Sequence, residues 1–201
     1  MPENNTPINR PLEQPRRAIV VGASSGLGAA LARRLAARGY RVAAVARREA
    51  ELAALRDSAG PGLICPYVHD VTEYEQVPLL FDQITRDLGG LDLIIYAAAV
   101  QPPVKLNEYD FAKDEAMIST NLLGAIAWLN QAAARFERAR AGRIVGISSI
   151  AGDRGRVGSP VYNTSKAGLD TYLEALRNRL SRHGVTVTTI KPGLMVVTVT
   201  P

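Results

Sequence analysis

Cysteine is nearly absent: Cys65 is the only one in 201 residues. No intrachain disulfide can form, and a reducing cytoplasm is the expected setting. Long apolar runs are missing too. None reaches the roughly eighteen residues of a membrane span, so no transmembrane segment is expected. The leading stretch MPENNTPINRPLEQPRR lacks the apolar core of a secretory signal and is rich in proline. Residues 1–15 are therefore read as a disordered polar tail, and 16–201 as one domain long enough for its own core. Lysine is scarce: arginine supplies 20 of the 24 basic residues behind the net charge of +5. Those arginines are interleaved with acids, as in AEALRNRLSR, and neither a recognition-helix nor a zinc-finger pattern accompanies them. They describe a solvated surface and argue against a nucleic-acid partner. No metal site is expected, and neither a repeat nor an internal linker is found.

What the chain does contain is an alternation of short apolar runs with longer amphipathic ones. The runs 18–21, 42–46, 63–68, 91–97, 143–148 and 185–190 are rich in Val, Ile or Leu and bounded by turn residues. They read as about six strands buried on both faces. Helices are expected over 26–38, 49–58, 75–88, 114–139 and 160–182. Gly39 and Gly184 read as helix stops, and Ser159-Pro160 as an N-cap followed by proline at the first helical position. This order implies an α/β fold: a doubly wound, Rossmann-like parallel sheet with helices on both faces. Ligands of such sheets bind beyond the carboxyl ends of the strands.

Val20-Val21-Gly22 runs off the first strand into Ala23-Ser24-Ser25-Gly26-Leu27-Gly28 and then a helix. Glycines permit a sharp turn and close backbone approach to a pyrophosphate, and the free N–H groups of the helix start attract it. Gly22, Ser24, Ser25, Gly26, Leu27 and Gly28 are thus candidate phosphate contacts. The second strand ends in Arg47-Arg48 instead of the acid that would hold the ribose hydroxyl of NAD. The guanidinium fork of Arg47, with Arg48 beside it, favours a 2′-phosphate, hence NADP(H), with NAD(H) as the alternative. After the third strand, Asp70 is positioned to accept from the adenine amino group and Val71 to contact the ring. His69 reads as a structural or surface histidine.

Tyr162 and Lys166 lie four apart at the start of a helix, thirteen and more residues after Ser149. The pair alone is a weak signal; its place after the fifth strand strengthens it. Reducing a ketone by hydride transfer leaves an alkoxide that needs a proton. A phenol can supply it, and a lysine ammonium one turn away favours the phenolate needed for the reverse reaction. Ser149 can hold the substrate oxygen, and Lys166 can also anchor the nicotinamide ribose.

On VGASSGLG, HDVT, NLLG, GRIVGISSIAG, YNTSK and KPG, the chain resembles the short-chain dehydrogenase/reductase family over residues 16–193. The resemblance implies that Ser149, not Ser148, orients the substrate. It implies that Asn121 completes a tetrad by holding a water in a proton relay to Lys166. Pro192 and Gly193 are implied beside the nicotinamide carboxamide. Two departures stand out. Tyr96-Ala97-Ala98-Ala99 replaces the family's Asn-Asn-Ala-Gly, so that Ala98 leaves room for cofactor while Tyr96 must find space. After Pro-Gly the chain reads LMVVTVTP, where relatives continue through a substrate-covering segment and one more strand. A wetter site and an exposed strand 185–190 are expected, unless a partner or VVTVT covers that strand. Thr198 is a candidate carboxamide contact.

The expected activity is hydride transfer between NADP(H) and a small carbonyl or alcohol substrate, with Tyr162 as general acid or base. The alternative is an NADP(H)-binding sensor or subunit without turnover. The substrate is not legible, although Arg154 and Arg156, between the serine and the tyrosine, are placed to meet an anion or simply to face solvent. A homo-oligomer through helices 114–139 and 160–182 is implied by the resemblance.

Overall fold

The computed structural model describes residues 16–193. Six strands form one sheet: β1 Arg17–Val21, β2 Arg41–Ala46, β3 Ile64–Val68, β4 Leu93–Tyr96, β5 Gly142–Ile147 and β6 Val185–Ile190. All pairs are parallel, and the order is β3-β2-β1-β4-β5-β6. The order in which successive strands are added reverses between β1 and β4, which opens a crevice beyond their carboxyl ends. The expected doubly wound α/β sheet is therefore the observed architecture.

Six helices cover it: α1 Gly26–Ala36, α2 Glu49–Asp57, α3 Val77–Leu88, α4 Phe111–Ile118, α5 Gly124–Ala139 and α6 Pro160–Leu180. Strand alternation divides the core. From β1, Ala18 and Val20 join Leu52 and Leu55 on one face, while Ile19 and Val21 join Phe81, Trp128 and Leu173 on the other. Among the described residues no helix is long and apolar enough to cross a membrane.

Several sequence expectations need adjustment. Only the inner strands are buried on both faces. Strand β6 alternates buried Val185 and Val187 with exposed Thr186 and Thr188, and β3 exposes Pro66 and Val68. Both are sheet edges among the described residues, where one face or flank meets solvent and where proline is tolerated. The helix expected from 114 begins at Phe111, because Asp110 caps it by accepting from the Ala112 and Lys113 N–H groups. That helix continues to Ala139 through a π-turn at Ser119–Leu123. Ser159 stands at the N-cap of α6, but its hydroxyl donates to the Gly158 carbonyl and leaves the helix uncapped by that side chain. The 1–15 tail, Thr198 and the VVTVT segment lie outside the described residues.

Sequence reading also missed a clamp at the other end of the sheet. Arg17 opens β1, and Asp92 precedes β4. The Asp92 carboxylate accepts from the Arg17 backbone N–H at 2.8 Å, from Nε at 2.9 Å and from the second guanidinium nitrogen at 3.0 Å. The remaining guanidinium nitrogen donates to the Gly89 carbonyl at 2.5 Å. Asp92 is nearly buried, so its removal strands a guanidinium that the fold has partly desolvated. Asp92→Ala is expected to cost about 3 kcal/mol, read as a lower urea midpoint with an unchanged slope. A loss below about 1 kcal/mol would mean that water replaces the carboxylate.

Candidate active site

Gly22 leaves β1 at φ +89°, and a Cβ there would strike the Ala97–Ala98 backbone. A Cβ at Gly28 would strike the Gly22 carbonyl, so this glycine closes the loop on itself instead of packing helix on sheet. The first turn of α1 contains no acid, and among the described residues no side chain caps it at Ser25. Its N–H groups therefore face the crevice with the positive end of the helix dipole behind them.

That crevice is a cavity of about 430 Å³, within the range of ligand sites. The loop 22–28 forms one wall, apart from Ala23. Arg47, Arg48, Asp70 and Val71 form the next. Ala98, Tyr162 and Lys166 stand opposite. Residues not singled out from sequence also line it: Ala97, Ala99, Val100, Thr120, Ile147 and Ser148. Ile147 and Ser148 lie inside the GRIVGISSIAG motif and Ala97 and Ala99 beside Ala98, but small or apolar residue types point to no chemistry of their own.

The two arginines differ. The Arg48 guanidinium donates to Ser24 Oγ at 2.9 Å and to Ser25 Oγ at 2.6 Å, so it lies across the glycine loop. Arg47 instead reaches Asp70 Oδ2 at 3.4 Å. Burial pushes the Asp70 carboxyl up, but bonds from the Thr72 N–H and hydroxyl, with Arg47, outweigh it and hold the acid below its ordinary range. His69 is buried edge-on to Trp128 at 5.7 Å between ring centroids, and desolvation lowers its pKa against the opposing charges of Glu73 and Asp70. It lines the cleft as a neutral wall.

Helix α6 presents Tyr162 in its first turn and Lys166 in its second. Lys166 is buried, with Nζ 5.7 Å from the Tyr162 ring centroid and 3.0 Å from the Ile147 carbonyl, to which it donates. Desolvation pulls this ammonium down to about 8, against the charge of Asp170 one turn further on. Ser148 donates to the Lys166 carbonyl at 3.3 Å and lines the first cavity. Ser149 faces a second cavity of about 440 Å³, shared with Tyr162 and Gly193. Its Oγ accepts from the Ala151 N–H at 3.1 Å, which leaves the hydroxyl proton for another acceptor. Tyr162 thus borders both cavities.

Pro192 and Gly193 follow β6 into this region. The Pro192 carbonyl accepts from the Ile150 N–H at 3.2 Å, while Lys191 Nζ bridges Asp153 at 2.6 Å and Asp170 at 3.0 Å. The strand end is therefore tied both to the serine loop and to α6.

Asn121 sits in the π-turn, fully buried. Its amide donates to the Val100 carbonyl at 3.0 Å and to Ser165 Oγ at 3.1 Å, and its oxygen accepts from the Val100 N–H at 2.8 Å. These bonds join the strand-β4 exit to α6; no bond from Asn121 to Lys166 is formed. Tyr96, which had to find space, is buried, with its hydroxyl donating to the Thr120 carbonyl at 2.6 Å. Gly124 makes that possible, since any side chain there would collide with the Tyr96 hydroxyl. A π-turn is a frequent device for re-aiming helix residues at functional sites.

The strand order, glycine loop and switch-point cleft define a Rossmann-like nucleotide-binding fold. The family model described as short chain dehydrogenase matches residues 16–200, and the chain belongs to the short-chain dehydrogenase family. An uncharacterized oxidoreductase of Myxococcus xanthus (strain DK1622) is 40% identical over 182 residues, covering 90% of this chain and 72% of that protein. One from Mycobacterium tuberculosis (strain ATCC 25618 / H37Rv) is 33% identical over 183 residues, covering 89% and 72%. Among solved structures, a Sinorhizobium meliloti 1021 protein assigned as a short-chain alcohol dehydrogenase superposes with a TM-score of 0.84 at 30% identity, over 93% of this chain and 75% of its own. ElxO with NADP bound has the same fold, with a TM-score of 0.86 at 24% identity over 91% and 75%.

Proposed function

We propose that this chain is an NADP(H)-dependent oxidoreductase that interconverts a carbonyl compound and its alcohol. The observation that carries the reading is the position of Tyr162, whose side chain borders both the glycine-loop cleft and the cavity that holds Ser149. A proton donor is wanted at such a boundary, between a cofactor site and a substrate site.

The residues fit a dinucleotide. The uncapped start of α1 and the loop 22–28 would receive the pyrophosphate. Arg48, lying across Ser24 and Ser25, would pair with a 2′-phosphate, and Arg47 would share that charge with Asp70. Asp70 and Val71 would meet the adenine, while Ala98, Pro192 and Gly193 would border the nicotinamide end. When bound, the cofactor supplies or accepts the hydride. Lys166 would exchange the Ile147 carbonyl for ribose hydroxyls while keeping its ammonium beside the Tyr162 ring. Ser149 would donate its free hydroxyl proton to the substrate oxygen, and Tyr162 would pass a proton to or from that oxygen. Asn121 would hold the β4 exit and α6 at a fixed separation; a water relay through it is part of the same proposal. The NADP found in a structure of this fold supports the cofactor reading.

A parallel titration with NADPH and NADH tests it. NADPH is expected to bind at least about tenfold more tightly, and Arg48→Glu to reverse the preference. Equal binding of the two cofactors would remove Arg48 as the discriminator. Binding of neither by the folded chain would remove the oxidoreductase reading.

A further inference from the structure

We infer that the cavity on the Ser149 side of Tyr162 takes a carbonyl substrate carrying a carboxylate, and that Arg156 binds this carboxylate. The inference rests on the oxidoreductase reading above and adds the substrate class.

Its basis is which groups on the cavity wall remain uncommitted. Gln101 Nε2 donates to Ser159 Oγ at 3.3 Å, and the Ser159 hydroxyl donates to the Gly158 carbonyl at 2.6 Å. Asn163 Nδ2 donates to the Arg156 carbonyl at 3.3 Å. These polar side chains are thus spent, at least in part, on the wall itself. Besides the Tyr162 hydroxyl, the proton donor of the proposed reaction, two strong donors are left. One is the Ser149 hydroxyl, suited to a carbonyl oxygen. The other is the Arg156 guanidinium, which forms neither a hydrogen bond nor an ion pair among the described residues.

Charge points the same way. Arg156 is the one charged side chain on the wall, and no aspartate or glutamate lines the cavity among the described residues. The nearest acid along the loop, Asp153, is held by Lys191 at 2.6 Å, and Arg154 is turned onto the Asp153 carbonyl at 3.1 Å. The loop carboxylate is thus bonded by Lys191, and Arg156 acts on it only through space, with neither a hydrogen bond nor an ion pair to hold its guanidinium there. Its backbone is also fixed relative to the reacting centre, because the Asn163 that holds it is the residue after Tyr162. A guanidinium offers a planar two-donor fork that matches a carboxylate.

The test uses aldehydes of four to eight carbons and para-formylbenzoate, each as the free carboxylate and as its methyl ester, with NADPH consumption followed. Wild-type protein should show kcat/KM at least about tenfold higher for the acids, the size of one charge-assisted bond. Arg156→Glu should erase or invert that ratio while NADPH binding is kept, since Arg156 lines the Ser149 cavity and not the glycine-loop cleft. Calorimetric titration with para-(hydroxymethyl)benzoate should show the same loss of binding without any turnover. Esters used as well as acids, or an acid preference that survives Arg156→Glu, would overturn the inference and leave the reductase reading standing. Turnover of neutral carbonyls alone would do the same. No turnover of any carbonyl, by a chain that also fails to bind NADPH, would instead remove the reading underneath.

Discussion

Tyr162→Phe is expected to lower kcat/KM for NADPH-dependent carbonyl reduction by about 10²–10⁴-fold, with the Kd for NADPH changed less than about threefold. The substitution removes one oxygen and keeps the ring. The phenyl group still separates the two cavities and still faces Lys166 Nζ, which lies 5.7 Å from the ring centroid. Cofactor binding should therefore survive, whereas the group proposed to exchange a proton with the substrate oxygen is gone. Stopped-flow reduction alongside fluorescence titration separates the two effects. Activity retained in the variant would show that another acid does the work, and Ser149, whose hydroxyl proton is free, would be the next to replace. Loss of cofactor binding in parallel would make Tyr162 a binding residue only. A folded wild type that binds NADPH yet reduces no carbonyl would favour a sensing role.

The second large effect concerns pH. Lys166 is buried, and desolvation brings it from an ordinary value of 10.5 down to about 8, with Asp170 opposing the shift. Between these two values the unfolded chain carries a proton on this lysine that the folded chain lacks. Stability contributed by Lys166 is therefore present above 10.5 and is lost as pH falls through about 8. Integrated over that window the change is about 3 kcal/mol. Lys166→Met keeps the shape and removes the titration. The variant is thus expected to be more stable than wild type at pH 7.5, with the gap closing toward pH 10.5, while its activity is lost. Urea midpoints of both proteins at several pH values measure this. Burial also raises Tyr67, Tyr96 and Tyr172, but these act equally in both proteins and cancel in the difference. A gap that is flat with pH would mean that Lys166 keeps its ordinary affinity for protons in the free chain. Such a cost is a common feature of functional sites, where a charge is held in a place that stability alone would not choose.

Much of the cleft was legible because motif residues act through the backbone. Glycines at 22, 26 and 28 matter for the space and angles they allow, and those properties do not depend on distant partners. The alternation of buried strand and amphipathic helix likewise follows from local periodicity, which is why the parallel sheet could be read. Edge strands were less legible. Whether β3 and β6 are buried on one face or two depends on their place in the sheet order, which periodicity does not contain.

Side-chain commitments were the least legible part. Arg47 and Arg48 are equivalent as letters, yet one is drawn to Asp70 and the other across the glycine loop. The choice depends on where the β3 exit falls relative to β2. Asn121 looked like one member of a tetrad, while its bonds go to Val100 and Ser165, brought near by a π-turn that no local pattern announces. Tyr96 looked like an obstacle and instead fills the space over Gly124, in a helix that follows much later in the chain.

The sequence by itself determined the fold class, the place of the glycine loop and the choice of residues proposed for proton transfer. Each of these depends on local backbone freedom, on helical spacing or on the intrinsic chemistry of a side chain. The tertiary structure alone decided which cavity each residue faces, which donors remain uncommitted and which charges are desolvated. Those properties belong to groups far apart in the chain, and packing sets them only once the sheet has been assembled.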